Sequence, residues 1–293
     1  MISPKADRFH PWQPLAWLRV SGDDTLNFLQ GQFTNDLRNL MAGDALYGLW
    51  LNQKGRVLAD SFVVRGSGAD GLWIASYFSP ATVIRERLEA YIIADDVVIA
   101  DETADWSAVS VLGAVEAEAL QRAVPGSVVF AGRRGGESVE WIFSRTAAAQ
   151  VAAQLAGWTE VDAVGMEHRR VLAGMPAVPA DIGPGELPKE GGLERDAISY
   201  TKGCYLGQEV MARLKAMGRV RRRLMRVSGR GTPPAVPAEL WQNGRKAGEL
   251  RSVVATDGGF AGLALLNLLQ LQPAAGLGLA AETAPTITVA ESA

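Results

Sequence analysis

The apolar positions of this chain come in short alternating runs broken by brief helical stripes. Residues 15–20 read as a strand, after which Ser21-Gly22-Asp23-Asp24 supplies side chains able to cap a helix. Leu26, Phe28 and Leu29 give that helix an apolar face ending near Gly31. Residues 32–37 follow as a second short helix or a turn, with threonine, asparagine and aspartate able to bond their own backbone. Residues 45–51 and 57–64 predict two strands joined by Asn52-Gln53-Lys54-Gly55, a hairpin signal with glycine in the turn. Residues 72–76 predict another strand, and Ser79-Pro80 opens a helix with Val83, Ile84, Leu88 and Tyr91 at helical spacing.

Strands are expected at 97–100 and 107–112, then a helix at 115–123 that stops before Pro125. Residues 128–130 and 139–143 flank a loop, 132–136, rich in glycine and arginine, and a helix at 146–155 ends at Gly157. Hairpins and helices alternating without regular βαβ spacing predict an α+β fold. A helix at 161–173 is stopped by Gly174-Met175-Pro176, and the proline- and glycine-rich stretch 177–192 reads as a long ordered loop or a linker. A helix over 208–215 comes next. From residue 221 short apolar runs split by Pro/Gly turns predict a small, barrel-like all-β domain. Residues 272–293 read as a frayed end carrying one β-like run, Thr286-Ile287-Thr288-Val289.

At 293 residues the chain has room for two or three domains, and 48% apolar with 21% charged residues is an ordinary soluble composition. A net charge of −3 predicts no general attraction to nucleic acid or anionic membrane, so any basic site is local. The first twelve residues lack the apolar core of a secretory signal, and the longest apolar stretch, 260–269, is far too short to span a bilayer. The expectation is a cytoplasmic protein. One cysteine excludes an internal disulfide. That cysteine with His10 and His168 cannot complete a four-ligand zinc site or an iron–sulfur cage from soft ligands, so further cluster ligands would come from a partner or a small thiol.

The single cysteine, Cys204, lies in Thr201-Lys202-Gly203-Cys204-Tyr205-Leu206-Gly207-Gln208-Glu209, bracketed by glycines that shape a loop. Lys202 precedes it, and Arg213, Lys215, Arg219, Arg221, Arg222, Arg223 and Arg226 follow; nearby positive charge favours the reactive thiolate. The alternative is a cysteine serving as a small buried hydrophobe. The basic run 219–223 reads as a solvated face or as counter-charges to an anionic ligand in preference to a nucleic-acid patch, since no aromatics interleave it. Asp60 within a half-buried strand would ordinarily face water, and Glu209 would ordinarily cap the following helix.

Lys202–Glu209 resembles the signature of the YgfZ family of folate-binding, iron–sulfur-assembly proteins, which is related to the T-protein (aminomethyltransferase) of glycine cleavage. The likeness extends to 21–36, to the hairpin 51–56, to 174–190 on the approach to the cysteine, and to 248–252 and 262–266. The stretch 168–224 is especially similar to the branch holding the mitochondrial iron–sulfur assembly factor. The resemblance implies a three-domain ring: an α+β domain of residues 1–45 and 155–220 carrying the cysteine, intertwined with a ferredoxin-like α+β domain of residues 46–154, and a C-terminal β-barrel of residues 221–293. It implies a central cleft holding tetrahydrofolate or a one-carbon derivative, with Cys204 near it.

By the same resemblance, Cys204 would transiently ligate a shared cluster, and Lys202 would hold it as thiolate. Gly203, Tyr205 and Gly207 would shape the loop, with Gln208 and Glu209 fixing it. Asp60, Gln32, Asn35 and Arg213 would meet the folate. Expected partners are iron–sulfur assembly proteins and [4Fe–4S] client enzymes, with no nucleic acid and no membrane. Two positions depart from the T-protein pattern. Its acidic pair is Ala59-Asp60 here, and its pterin-contacting glutamate corresponds to Leu172, which cannot accept a hydrogen bond; an unpaired buried donor costs ~1–3 kcal/mol. The implied function is assembly or repair of [4Fe–4S] proteins. The alternatives are a folate-dependent aminomethyl or methyl transferase and a non-catalytic folate-stabilised scaffold.

Overall fold

Strand-forming runs of aromatic and β-branched residues, each apolar on both faces, account for the centre of the molecule. The computed structural model describes residues 7–66 and 71–290, without the side chain of Met217. The chain begins with β1 (Arg8–Trp12), β2 (Ala16–Ser21), α1 (Thr25–Gln32), β3 (Ala45–Leu51), β4 (Val57–Arg65) and β5 (Leu72–Ser76). It continues through α2 (Ala81–Glu89), β6 (Val98–Asp101), β7 (Trp106–Leu112), α3 (Ala117–Ala123), β8 (Val128–Ala131) and β9 (Ser138–Ser144). Then come α4 (Ala148–Gln154), β10 (Thr159–Glu160), α5 (Ala163–Leu172) and α6 (Gln208–Met217). The last strands are β11 (Arg222–Arg230), β12 (Ala238–Gln242), β13 (Arg245–Thr256), β14 (Gly259–Asn267) and β15 (Ile287–Val289).

These strands form three five-stranded sheets, ordered β3-β4-β5-β2-β6, β10-β1-β7-β9-β8 and β12-β13-β14-β11-β15. The fold is mixed α and β, as expected, and ends in a curled β half-barrel. The first two sheets pack face to face. Strand alternation sends Trp17, Leu49 and Phe62 into the shared core with Phe130 and Ile142 of the second sheet, while Leu18, Trp50 and Val63 face α1 and α2. Helices α3 and α4 cover the outer face of the second sheet against Val111 and Trp141. Hydrogen bonding groups the strands within 16–101 in one sheet and 8–12 with 106–160 in the other.

Two findings differ from the expected elements. Residues 8–12 form a strand that pairs antiparallel with β7 and parallel with β10, a partnership invisible in a short segment containing proline. Residues 272–290 are not frayed: β15 pairs with β11, and Leu277 and Ile287 are buried in the half-barrel core. The first six residues and the last three lie outside the described residues.

The stretch 177–192 is an ordered connector tied down at both ends. Buried Asp181 accepts from Arg170 of α5, from Ser252 Oγ of β13 at 2.6 Å and from the Ala177 amide at 2.8 Å. Arg170 also donates to Ser252 Oγ at 2.7 Å, so one carboxylate locks α5, the connector and the half-barrel together. Asp181→Ala is expected to lower unfolding free energy by about 1–3 kcal/mol, because it leaves the buried Ala177 amide and Ser252 hydroxyl without their acceptor while Arg170 keeps its pair with Glu167. Urea unfolding followed by tryptophan fluorescence checks this; a loss of under 1 kcal/mol would count against the lock.

Candidate functional site

The thiol loop is built around a buried lysine. Lys202 is 5% exposed, and its ammonium donates to the carbonyls of Gln30, Phe33 and Asn35 at 2.8, 2.7 and 2.8 Å. These carbonyls lie at and just beyond the end of α1, where helix acceptors lack intrahelical partners. All three ammonium donors are spent there, so the lysine anchors the loop and its charge is satisfied by α1, not by the thiol. Burial lowers the ammonium to about 8, with Asp36 pulling more weakly in the opposite direction.

Its neighbours are divided between core and solvent. Tyr205 is buried in the core between the sheets, while Cys204 and Gly203 are exposed. The Leu206 amide donates to the Gly31 carbonyl at 3.1 Å, and the Tyr205 amide donates to Gln208 Oε1 at 3.3 Å, so Gln208 closes the loop it follows. Gly207 has φ +87° as it enters α6, and a Cβ there would lie 3.0 Å from the Asn52 carbonyl. Across that contact the β3–β4 turn packs on α6: a Cβ on Gly55, φ +67°, would lie 2.8 Å from Val210 and Met211. Glu209, in the first turn of α6, is exposed, as is Arg213.

A separate cleft of about 560 Å³ opens between the end of α5, residues 191–196 and the half-barrel strands β11 and β14. Arg133, Arg195, Arg223 and Arg226 line it, with Asp196 and an apolar wall that includes Met175, Leu224 and Leu263. Arg133 donates to Asp196 at 2.8 Å while its guanidinium lies 4.4 Å from the centre of the Tyr47 ring. Beneath, Tyr47 donates to Asp60 at 2.9 Å, and Ser79 donates to the same carboxylate at 2.7 Å. Burial raises the Asp60 carboxyl above its usual range, against the opposing pull of these hydroxyls.

A family profile described as the GCVT N-terminal domain matches residues 12–159. The chain belongs to the GCVT N-terminal domain family. A second profile, "CAF17, C-terminal beta-barrel domain", matches residues 221–291. The chain is 24% identical over 261 residues to the tRNA-modifying protein YgfZ of Colwellia psychrerythraea, covering 83% of this chain and 79% of that one. It is 29% identical over 226 residues to the mitochondrial iron-sulfur cluster assembly factor IBA57 of Homo sapiens, covering 72% of this chain and 63% of that one. The crystal structure of glycine cleavage system aminomethyltransferase T from Bartonella henselae superposes with a TM-score of 0.76 at 16% identity, covering 96% of this chain and 83% of that one, a likeness of fold.

Within this GCVT-type framework the expected site residues separate. Asn35 bridges the two features: its amide donates to the carbonyls of Tyr47 and Asp196, both at 3.0 Å, and its own carbonyl accepts from Lys202. Asp60 lies under the cleft floor, screened by Tyr47. Gln32 instead accepts from Arg87 of α2 at 2.9 Å, and neither it nor Arg213 or Cys204 lines the cleft. Leu172 is exposed beside the cleft, its carbonyl accepting from Arg226 at 3.1 Å. The cleft arginines were not singled out as site residues; their signal was the glycine–arginine loop at 132–136 and the basic run near 223. Among the described residues, no group of three or more His, Cys, Asp or Glu side chains is placed to hold a metal ion.

The lysine anchor has a signed pH dependence. Its folded value near 8 lies below the ordinary lysine value of 10.5, so the unfolded chain holds this proton more tightly. The contribution of Lys202 to stability is least favourable below pH 8 and improves as pH rises from 8 toward 10.5. Lys202→Met removes the proton and leaves buried carbonyls without donors, for a loss of at least about 2 kcal/mol. Its deficit against the wild type is expected to widen between about pH 8 and 10 in urea unfolding. A deficit independent of pH would contradict the burial of a titrating amine.

Proposed function

We propose that this chain is a tetrahydrofolate-binding factor for the assembly or repair of [4Fe–4S] proteins, acting through the thiolate of Cys204. The observation that carries the reading is the exposure of Cys204 between a buried, triply bonded Lys202 and a buried Tyr205. The loop presents sulfur outward from a braced backbone. Iron binding itself displaces the thiol proton, so no dedicated neighbouring base is required. The cluster is cargo, and its remaining ligands come from the client or an assembly partner, a reading supported by the IBA57 relative, whose name is that of an iron-sulfur cluster assembly factor.

The basic cleft fits the folate part of the reading. Its volume falls in the range of small-molecule pockets, ~300–1,000 Å³. Its arginines suit the carboxylates of a glutamate tail, and its apolar wall suits a ring system. Leu172 offers no side-chain acceptor to a pterin, consistent with binding weaker than in an aminomethyltransferase. One-carbon transfer is the weaker reading, since Asp60 has no acidic neighbour at Ala59 and is occupied by buried hydroxyls.

Two measurements test this. In a strain lacking its own relative, the wild type is expected to restore activity of a [4Fe–4S] enzyme and Cys204→Ser to fail at equal protein level; equal rescue would remove the thiol from the mechanism. In calorimetry, Arg223→Ala is expected to weaken tetrahydrofolate binding about tenfold, the loss of one charge-assisted contact. Unchanged affinity would exclude the cleft as the folate site.

A further inference from the structure

A second basic surface lies on the far side of the connector from the folate cleft. Three cavities of about 520, 290 and 380 Å³ adjoin at one end of the half-barrel, all three lined by Asn267 at the close of β14. The first two share Arg222, and the second and third share Lys246. The sheet register explains the continuity. Arg222 opposes Asn267, Gly248 opposes Leu266, and Trp241 opposes Lys246, so the start of β11, the start of β13 and the end of β14 share one edge.

The charge of this groove departs from that of the chain. Arg56, Arg219, Arg221 and Arg222 line its first part, and Arg251 and Arg245 extend it beyond. Among the described residues Glu190 and Glu249 are its only lining carboxylates, in a protein of net charge −3. Internal pairing consumes only part of this charge: Arg222 meets Glu186 and Glu190, Arg251 meets Glu186 and Glu249, and Lys246 meets Glu239. Arg219, Arg221 and Arg245 have no carboxylate within ion-pair distance among the described residues. Uncompensated cations spaced along a groove attract an extended anion. Leu269 at its rim is 73% exposed, and partly buried Leu214 lies across from it.

We propose that this groove docks an acidic, extended segment of a partner protein, with an apolar side chain of that segment covering Leu269 and Leu214. A polypeptide fits better than nucleic acid. None of the residues lining the groove is aromatic, so nothing offers a base a stacking surface, and the interspersed glutamates oppose a continuous phosphate chain. The surface is separate from the thiol loop and the folate cleft, so the proposal stands independently of the function proposed above.

Fluorescence anisotropy on the full chain provides the test. The probes are a labelled twelve-residue peptide alternating Glu/Asp with leucine, an all-glutamate peptide of equal length, and a single-stranded RNA of equal charge. The leucine-containing peptide is expected to bind most tightly and to weaken with added salt. The triple substitution Arg219→Glu, Arg221→Glu, Arg245→Glu should weaken it at least about tenfold, and Leu269→Ser about threefold, without effect on the all-glutamate peptide. All three arginines are exposed, and circular dichroism confirms that the variant is folded. Tighter binding of RNA, no binding of the peptide at low salt, or equal binding by the charge-reversed chain would each overturn the proposal.

Discussion

One ammonium group holds the site together. The carbonyls of Gln30, Phe33 and Asn35 have no regular backbone partners at the end of α1, and burial deprives them of water. Lys202 arrives from about 170 residues later in the sequence and satisfies all three. Around it Thr34 repeats the join: its hydroxyl donates to the Ala197 carbonyl at 2.6 Å and accepts from the Leu49 amide at 2.8 Å. The returning segment is thereby bonded to the first sheet before it reaches the cysteine. A thiol on an unanchored loop of this length would sample many positions, and the anchor confines that freedom to the exposed Gly203-Cys204 pair.

The same residues connect the thiol loop to the basic cleft. Asn35 gives its carbonyl to Lys202 and its side-chain amide to the backbone of Asp196, whose carboxylate receives Arg133 at the cleft floor. The path is short and consists of hydrogen bonds with defined partners. Anything that displaces Asp196 therefore strains a bond made by the residue that helps hold Lys202. Cys204 does not need to line the cleft for the two features to share a structural support.

The local structure was largely readable and the pairing of distant pieces was not. The hairpin around Asn52–Gly55 carries its own instructions: Asn52 Oδ1 accepts from the amides of Lys54 and Arg56, and Gly55 takes the positive φ. The segment 8–12 has no such signal, because its strand character depends on β7, about a hundred residues away. Lys202 was read as a neighbour of the thiol because adjacency is all that a linear sequence displays. Its long side chain turns to α1, and no feature of the motif announces this. Residues 272–290 looked frayed from their alanine and glycine content, yet buried Leu277 and Ile287 and the pairing of β15 with β11 hold them on the half-barrel.

Asp60 shows how burial redirects a residue's chemistry. In a half-buried strand a carboxylate ordinarily turns to water. Here β4 has the second sheet against one face and α1 and α2 against the other, so both strand faces are internal and the carboxyl has only protein to meet. Three hydroxyls, from Tyr47, Ser76 and Ser79, supply the donors that water would otherwise give. A carboxyl so satisfied is costly to remove, and it has little spare capacity to move protons for a ligand. Tyr47 separates it from the guanidinium of Arg133, so what Asp60 offers the cleft is the fixed position of the tyrosine and, through it, of the arginine. In this chain the aspartate orders the floor of the cleft, and the charges that line the cleft stand above it.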